Sequence, residues 1–410
     1  MNRIFRYIAA ALVCLSFVII SYAEVPHKEM IDAKMAKIPQ GSSLIFITDS
    51  HWNVNAGHST VQMKYLCDKT GIGSVVFAGD SYDWGKDKND ALRQLKLYTE
   101  DCVGNFGEGF HYVIGNHDAN SWPVGKGKCT LEEGLIPDTV IFNVTQSHIA
   151  DKVVYDQVGL MTVQDYPFES EVQRQEAMAW MKMHWYRDIP SQKIRIITLE
   201  TGNRGYTVRG FANSAECLFL VQTDFVAKAL KTMPEGYNAV IVGHQMGVYK
   251  KDKPVGADID GLRQMMAVVS AYGTSSKISV YPTGVPLGKY PFLKAYWKAA
   301  GTHEYDFTSI AEPGKAVLLG GHFHRDFFWL ASPVQAGVSI ERVYPKKKST
   351  LKKGQVLCFW VNRDVCRGKD PVMEKGTPDE QSFMVLTFGK DNVTFTRFGT
   401  GSDYKFKIKK

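Results

Sequence analysis

Val75-Val76-Phe77-Ala78-Gly79-Asp80-Ser81-Tyr82-Asp83 is the stretch on which the fold turns. Its first four residues form an uncharged β-branched, aromatic and small run, the pattern of a strand buried on both faces. The run halts at a glycine and then delivers a carboxylate. Open α/β sheets gather their ligands at the carboxyl ends of such strands, so Asp80 stands where a ligand or metal belongs. A Gly-Asp pair after a strand is also an ordinary turn. The weight of Asp80 therefore depends on what the chain brings to the same edge.

On the N-terminal side, Leu44–Thr48 reads as a buried strand ending at Asp49-Ser50-His51. On the C-terminal side, His111–Ile114 reads as a third, opening into Gly115-Asn116-His117-Asp118. Between them, His58–Lys69 and Asp90–Val103 carry helical spacing. This alternation predicts βαβ units and a parallel or mixed sheet. Further on, Val140–Val144 and Lys152–Tyr155 read as short strands, and Ser170–Ile189 as a long helix stopped by Pro190. Lys193–Leu199 reads as a strand, Cys217–Met233 as a helix, and Ala239–Val242 as a strand ending at Gly243-His244. Residues 246–314 then interrupt the rhythm as an insertion, with a helix over Ile259–Tyr272 and an aromatic, Pro- and Gly-rich loop over Tyr281–Phe307. Its aromatics (Tyr281, Tyr290, Phe292, Tyr296, Trp297, Tyr305) are expected to line or cover the cleft. Ala316–Gly320 restores a strand and releases Gly321-His322-Phe323-His324. The tail alternates in β fashion over Gln355–Val361, Gln381–Phe388 and Asn392–Arg397, and is expected to close a second sheet.

Bulk properties narrow the class. The 410 residues, net charge +7 and 44% apolar content are those of a globular chain, mildly basic without a nucleic-acid-binding composition. Arg3 and Arg6 precede an apolar run from Tyr7 to Ile20, followed by Ser21-Tyr22-Ala23. This reads as a secretory signal over residues 1–23, with the mature chain over 24–410 exported to the periplasm or beyond the cell. The run is short for an uncleaved membrane anchor. Cys67, Cys102, Cys129, Cys217, Cys358 and Cys366 follow the signal, with Cys358 and Cys366 the most local candidate pair for a disulfide. No Cys-x-x-Cys occurs, which argues against a thiolate zinc site. Lys346-Lys347-Lys348 with Lys352-Lys353 reads as a solvated hairpin tip. His27, His58, His111, His148, His184 and His303 belong to no motif and read as surface or satisfied core histidines.

Five strand ends thus finish in polar clusters: Asp49-x-His51, Asp80-x-x-Asp83, Asn116-His117-Asp118, His244, and His322-x-His324. Residues two apart in an extended segment point the same way. Asp49 with His51, and His322 with His324, are therefore each expected to present two side chains to one place. Asp49, His51, Asp80, Asn116, His244, His322 and His324 are too many ligands for one tetrahedral ion and suit two ions sharing a carboxylate.

This ordered set resembles the calcineurin-like metallophosphoesterases over about residues 44–325. The resemblance implies an α/β fold, a four-layer α/β/β/α sandwich of two mixed β-sheets. It implies one ion on Asp49, His51, Asp80 and His324 and a second on Asp80, Asn116, His244 and His322, with Asp80 as the bridge. The ions would be divalent or trivalent Mn, Fe or Zn, among which the ligands do not choose. His117 would stabilise or protonate the leaving oxygen, oriented by Asp83. The purple acid phosphatase branch has a tyrosine three residues after the bridging aspartate. Here that position is Asp83, with Tyr82 one place earlier, which argues against a tyrosinate-iron centre. The implied activity is hydrolysis of a phosphorylated small molecule or a phosphodiester. A nuclease of the same fold and a silent binding protein on the same scaffold are the alternatives.

Overall fold

The computed structural model describes residues 25–51, 56–120, 134–201, 220–246, 249–250, 253–254, 257–281, 291–301, 303–335, 337–344, 346–364 and 373–409. The signal segment, Tyr290, Cys129, Cys217 and Cys366 lie outside these. No helix among the described residues is long and apolar enough to cross a membrane.

The strands in chain order are β1 (Ser42–Ile47), β2 (Val75–Phe77), β3 (Phe110–Tyr112), β4 (Val154–Tyr155), β5 (Trp185–Ile189), β6 (Ile194–Leu199), β7 (Asn238–Gly243), β8 (Tyr249–Lys250), β9 (Lys253–Pro254) and β10 (Lys277–Ser279). They continue as β11 (Glu304–Asp306), β12 (Ala316–Gly320), β13 (Phe327–Val334), β14 (Gly337–Val343), β15 (Lys348–Leu351), β16 (Val356–Trp360), β17 (Ser382–Phe388), β18 (Asn392–Gly399) and β19 (Tyr404–Ile408). Two large mixed sheets result. One runs β15-β19-β18-β17-β1-β2-β3 and the other β14-β13-β16-β12-β7-β6-β5-β4.

Period-two alternation places the layers. Leu44, Phe46, Val76 and Ala78 of the first sheet share a buried cluster with Val240, Val242, Val317 and Leu319 of the second, so these faces meet between the sheets. Their neighbours Ile45, Ile47, Val75 and Phe77 turn to the other face and pack with Leu66, Leu95 and Tyr98 of the helices Ala56–Thr70 and Lys88–Phe106. On the far side, Ile197, Ile241, Leu318 and Trp360 pack with Val226, Leu230, Met265 and Val269 of the helices Leu220–Lys231 and Ala257–Gly273. The protein is a four-layer α/β/β/α sandwich. Strands buried on both faces need apolar residues at every position, which is why β1, β2 and β7 read as continuous apolar runs.

β1, β2 and β3 are mutually parallel, as are β6, β7, β12 and β16. The chain segments leaving β1, β2, β3, β7 and β12 carry Asp49, Asp80, Asn116, His244 and His322, and these meet at one edge of the sandwich.

Several sequence expectations change. Residues 140–144 lie in a helix, Asp138–Thr145, with Asp138, Ile141 and Thr145 buried at helical spacing. A short β-branched run does not declare its period by itself. The long helix ends at Lys182, and Trp185–Ile189 forms β5, antiparallel to β6. Pro190 therefore lies in a hairpin turn, and the switch from helical to alternating period at Met183-His184 passes unnoticed inside an apolar stretch. The tail serves both sheets, with β16 in the second and β17, β18 and β19 in the first. Lys348 begins an edge strand parallel to β19, so the lysines flank a sheet edge instead of capping a hairpin. Cys358 is a buried free thiol. The stretch 281–307 holds the helix Pro291–Ala300 and β11, and several of its described aromatics go inward. Phe292, Tyr296 and Tyr305 are buried, and Tyr296 Oη lies 2.8 Å from Asp156 Oδ2 and 2.6 Å from Asp224 Oδ2. These side chains are core of the outer helical layer, although Tyr281 is exposed.

His111 in β3 gives one measurable consequence. It is fully buried, and neither ring nitrogen has a hydrogen-bond partner among the described residues. Burial first, and then the charge of Arg187, push its pKa down to about 3. The unfolded value is about 6.5, so the unfolded chain takes up the proton first. Stability therefore falls as pH drops below about 6.5 and keeps falling toward 3. The loss from this group is about 2 kcal/mol by pH 5. Urea unfolding at pH 5 and pH 8 is expected to show His111→Leu losing less stability on acidification than the parent. Equal losses would refute the assignment.

Candidate metal centre

The site is built where strands stop. Asp49, His51, Asp80, His322 and His324 all have positive φ, at 52°, 39°, 60°, 73° and 54°. Left-handed backbone at non-glycine residues costs of order 1–3 kcal/mol each and persists where surroundings enforce it. Here Asp49 N donates to Gly79 O at 2.9 Å, His51 N to Asp80 O at 2.9 Å, and His322 N to the Asp49 carboxylate at 2.9 Å. The expected extended pleat is thus replaced by kinked loops laced across strands. Glycines permit the lacing. A Cβ on Gly79, itself at φ 86°, would collide with Gly115, and one on Gly115 would collide with the Asp80 carboxylate.

Asp49, His51, Asp80 and His324 place one ligand atom each within 4.8 Å of one another. Asp80, His244 and His322 form another such group, and Asp80 belongs to both. Asn116 joins the second group, its Oδ1 lying 3.1 Å from His244 Nε2 and 2.8 Å from His322 Nδ1. His322 and His324, two residues apart, consequently part to different groups. His51, Asp83 and His117 form a further cluster. Asp83, half exposed, lies 3.1 Å from His51 Nδ1, whereas His117 Nδ1 is buried with no hydrogen-bond partner among the described residues.

The donor set fits cations. His244 Nδ1 donates to the carbonyl oxygen of Ala78 at 2.6 Å. That fixes the tautomer and leaves a lone pair on Nε2. This lone pair faces Asp80 Oδ2 and Asn116 Oδ1, both at 3.1 Å and both acceptors. Likewise His51 Nε2 and His324 Nε2 face each other at 3.0 Å, with Asp49 Oδ1 3.2 Å from the latter. Buried lone pairs converging in this way need positive charge among them.

The electrostatics agree. Burial alone would raise the pKa of Asp49 and Asp80, yet both lie well below the usual carboxylate range. His324, 3.2 Å away, and then His51 hold Asp49 down, and the charge of His244 foremost holds Asp80 down. Burial works against a proton on His244, but Asp80 outweighs it and pushes the group up to about 10, so a proton on Nε2 competes for the place a cation would take. Burial and then the charge of His244 push His322 down to about 3. The centre therefore retains its carboxylate charge and seeks a cation.

In its sandwich and in the order of these residues, the chain resembles the calcineurin-like metallophosphoesterases. No protein-family model and no curated protein matches it. Among solved structures it is similar to a dimetal phosphatase from Danio rerio, at 9% identity, covering 89% of this chain and 98% of that one with a TM-score of 0.41. It is also similar to GAP50, the anchor in the inner membrane complex of Plasmodium, at 12% identity, covering 90% of this chain and 89% of that one with a TM-score of 0.37.

Three residues around the centre had no role of their own in the sequence. Asp118 accepts from Asp80 N, Ser81 N, Ser81 Oγ, Gly115 N and Tyr112 Oη at 2.7–3.1 Å. Gln245 Nε2 lies 2.7 Å from His322 Nε2, and Arg363 Nη1 lies 3.4 Å from His324 Nδ1. Asp118 closes the Asn116-His117-Asp118 cluster and Gln245 adjoins His244, which was the available signal. Arg363 follows β16 with nothing around it to mark it.

Proposed function

We propose that the protein is an exported, metal-dependent phosphoester hydrolase. The observation that carries this reading is the pair of ligand groups joined at Asp80. Asp49, His51, Asp80 and His324 would hold one ion, and Asp80, Asn116, His244 and His322 the other. Bound Mn, Fe or Zn would supply Lewis acidity, acidifying water and neutralising phosphoryl charge.

The chain's own groups do the rest. His117 stands beside the centre with Nε2 3.8 Å from Asp80 Oδ2. Burial pushes its pKa down to about 4, against the opposing charge of Asp80. As a neutral imidazole with its proton on Nε2, it can hydrogen-bond the leaving oxygen of a phosphoryl group seated on the centre, and in acid it can hand that oxygen a proton. Asp83 braces His51, so its service to His117 runs through the arrangement of the cluster and not through a direct hydrogen bond. Arg363 adds positive charge beside His324, which suits an anionic substrate.

The test is to purify the mature protein, count bound ions, and assay an aryl phosphate monoester against a diester with Mn, Zn and Fe. Two ions with turnover are expected. Two ions without turnover would favour a binding protein, and no ions would refute the reading. His117→Ala is expected to keep both ions while losing about 10²–10⁴ in kcat. A loss under about threefold would remove His117 from the chemistry.

A further inference from the structure

Trp84 lies just beyond Asp83, and its indole lies flat against His117, with ring centroids 3.8 Å apart and planes 17° apart. The contact follows from the way two loops are tied together. The loop after β2 is held to the loop after β3 by Ser81 N and Oγ on the Asp118 carboxylate, and by Tyr82 Oη donating to Asp118 O at 3.1 Å. It is held again by Gly85 N donating to Asn120 Oδ1 at 3.0 Å. In return His117 N donates to Asp80 Oδ1 at 2.8 Å. Trp84 therefore stands between two anchored residues, Tyr82 and Gly85, and its ring is delivered to a fixed place.

His117 has the opposite problem. Its backbone is tied, but Nδ1 has no hydrogen-bond partner among the described residues. Its Nε2 lies 3.8 Å from Asp80 Oδ2, beyond hydrogen-bond reach. The χ2 torsion of a histidine is broad, so without a hydrogen bond on the ring its direction is set by packing. A flat indole at van der Waals distance supplies that packing on one face, and rotating the imidazole would drive its edge into the indole. The His51 ring meets His117 edge-on at 4.7 Å, which closes another direction.

We propose that Trp84 is the positioning residue of His117, fixing the imidazole by stacking so that Nε2 is aimed into the centre. The proposal rests on the hydrolase reading for its kinetic consequence but not for its structural one. Trp84 acts through His117, so its removal weakens assistance to the leaving oxygen, and the loss grows with the basicity of that oxygen. Misplacement by about 1 Å can cost about 10²-fold.

Trp84→Ala, Trp84→Phe, His117→Ala and the Trp84→Ala/His117→Ala double variant of the mature protein would be compared. Measurements are bound metal, kcat on 2,4-dinitrophenyl, 4-nitrophenyl and phenyl phosphates, and the His117 ring orientation by crystallography. The expected result for Trp84→Ala is unchanged metal, about 10–10²-fold loss of kcat on phenyl phosphate, and under about threefold loss on the dinitrophenyl ester. Trp84→Phe is expected to recover most of the rate, and the double variant to be no slower than His117→Ala alone. A loss uniform across the esters, additivity in the double variant, or an undisturbed His117 ring in Trp84→Ala would overturn the proposal. If Trp84→Ala does not fold, Trp84→Phe with a leaving-group dependence equal to the parent supports it, and a uniform loss refutes it. If the parent binds ions but turns over none of the esters, the hydrolase reading fails. The ring orientation in Trp84→Ala then still decides the positioning claim.

Discussion

Asp80→Asn is expected to strip the protein of both ions and abolish turnover. Asp80 is the residue common to the two ligand groups, with Oδ1 committed to His117 N and Oδ2 3.1 Å from His244 Nε2. Asparagine preserves the shape and one acceptor, yet it removes the charge around which His51, His117 and His244 are arranged. Altering merely the partners of metal ligands typically costs about 10–100-fold in metal affinity. Losing the shared ligand is therefore expected to cost more than about 10²-fold in affinity for either ion. Elemental analysis of the dialysed protein and kcat/KM at saturating metal are the measurements. Retention of two ions with kcat/KM within a few-fold of the parent would refute the bridge. The substitution should leave the metal-free fold intact, because the neighbouring loops are laced by backbone groups and by Asp118.

Asp118→Ala should have the reverse signature, with the fold suffering first. Five donors converge on this carboxylate, three of them backbone amides of Asp80, Ser81 and Gly115. All of these groups are buried, and each buried donor left without a partner costs about 1–3 kcal/mol before relaxation or water entry. A total near 3–5 kcal/mol is the realistic expectation, comparable to breaking a buried ion pair by deleting one member. The loops after β2 and β3 would then lose their mutual register, and the metal centre with it. Urea unfolding of the metal-free protein separates this from a simple ligand effect. Asp118→Asn, which keeps an acceptor, is expected to fall between Ala and the parent. A change below 1 kcal/mol for Ala would show that the loops are held by something else.

The two substitutions divide the labour of neighbouring carboxylates. Asp80 spends its charge on the centre, and Asp118 spends its lone pairs on the backbone that presents Asp80. Both follow glycine-bearing strand ends, and nothing local in Asn116-His117-Asp118 tells a ligand from a brace.

Much of the fold was legible because its cues are short-range. Doubly buried strands announce themselves as apolar runs, and Val75–Ala78, Leu44–Thr48 and Ala239–Val242 could be read without a partner in view. What failed did so where local period is ambiguous. Trp185–Ile189 continued the apolar rhythm of the preceding helix, and only pairing with Ile194–Leu199 made it a strand. Residues 140–144 are β-branched enough to read as a strand, yet Ile141 and Thr145 bury one helical face. The aromatics of residues 281–307 looked like a cleft lining, and Tyr296 instead sits between Asp156 and Asp224 in the outer layer.

Local cues were enough to show that five apolar strands end in ligand-type residues, because doubly buried runs are written in the chain itself, whereas the sandwich that presents them at one edge was implied by the resemblance. How those residues divide was implied by the resemblance and not by their spacing, and the structure shows the two groups side by side. His324 goes to Asp49 and His322 to Asn116, although they are two residues apart. Asp83 lies against His51, and Trp84 lies against His117. The reason is geometric. Left-handed kinks at the strand ends abolish the simple alternation that spacing would predict. The partners then come from other strands and, across the sandwich, from the other sheet, so their meeting is set by how two sheets pack.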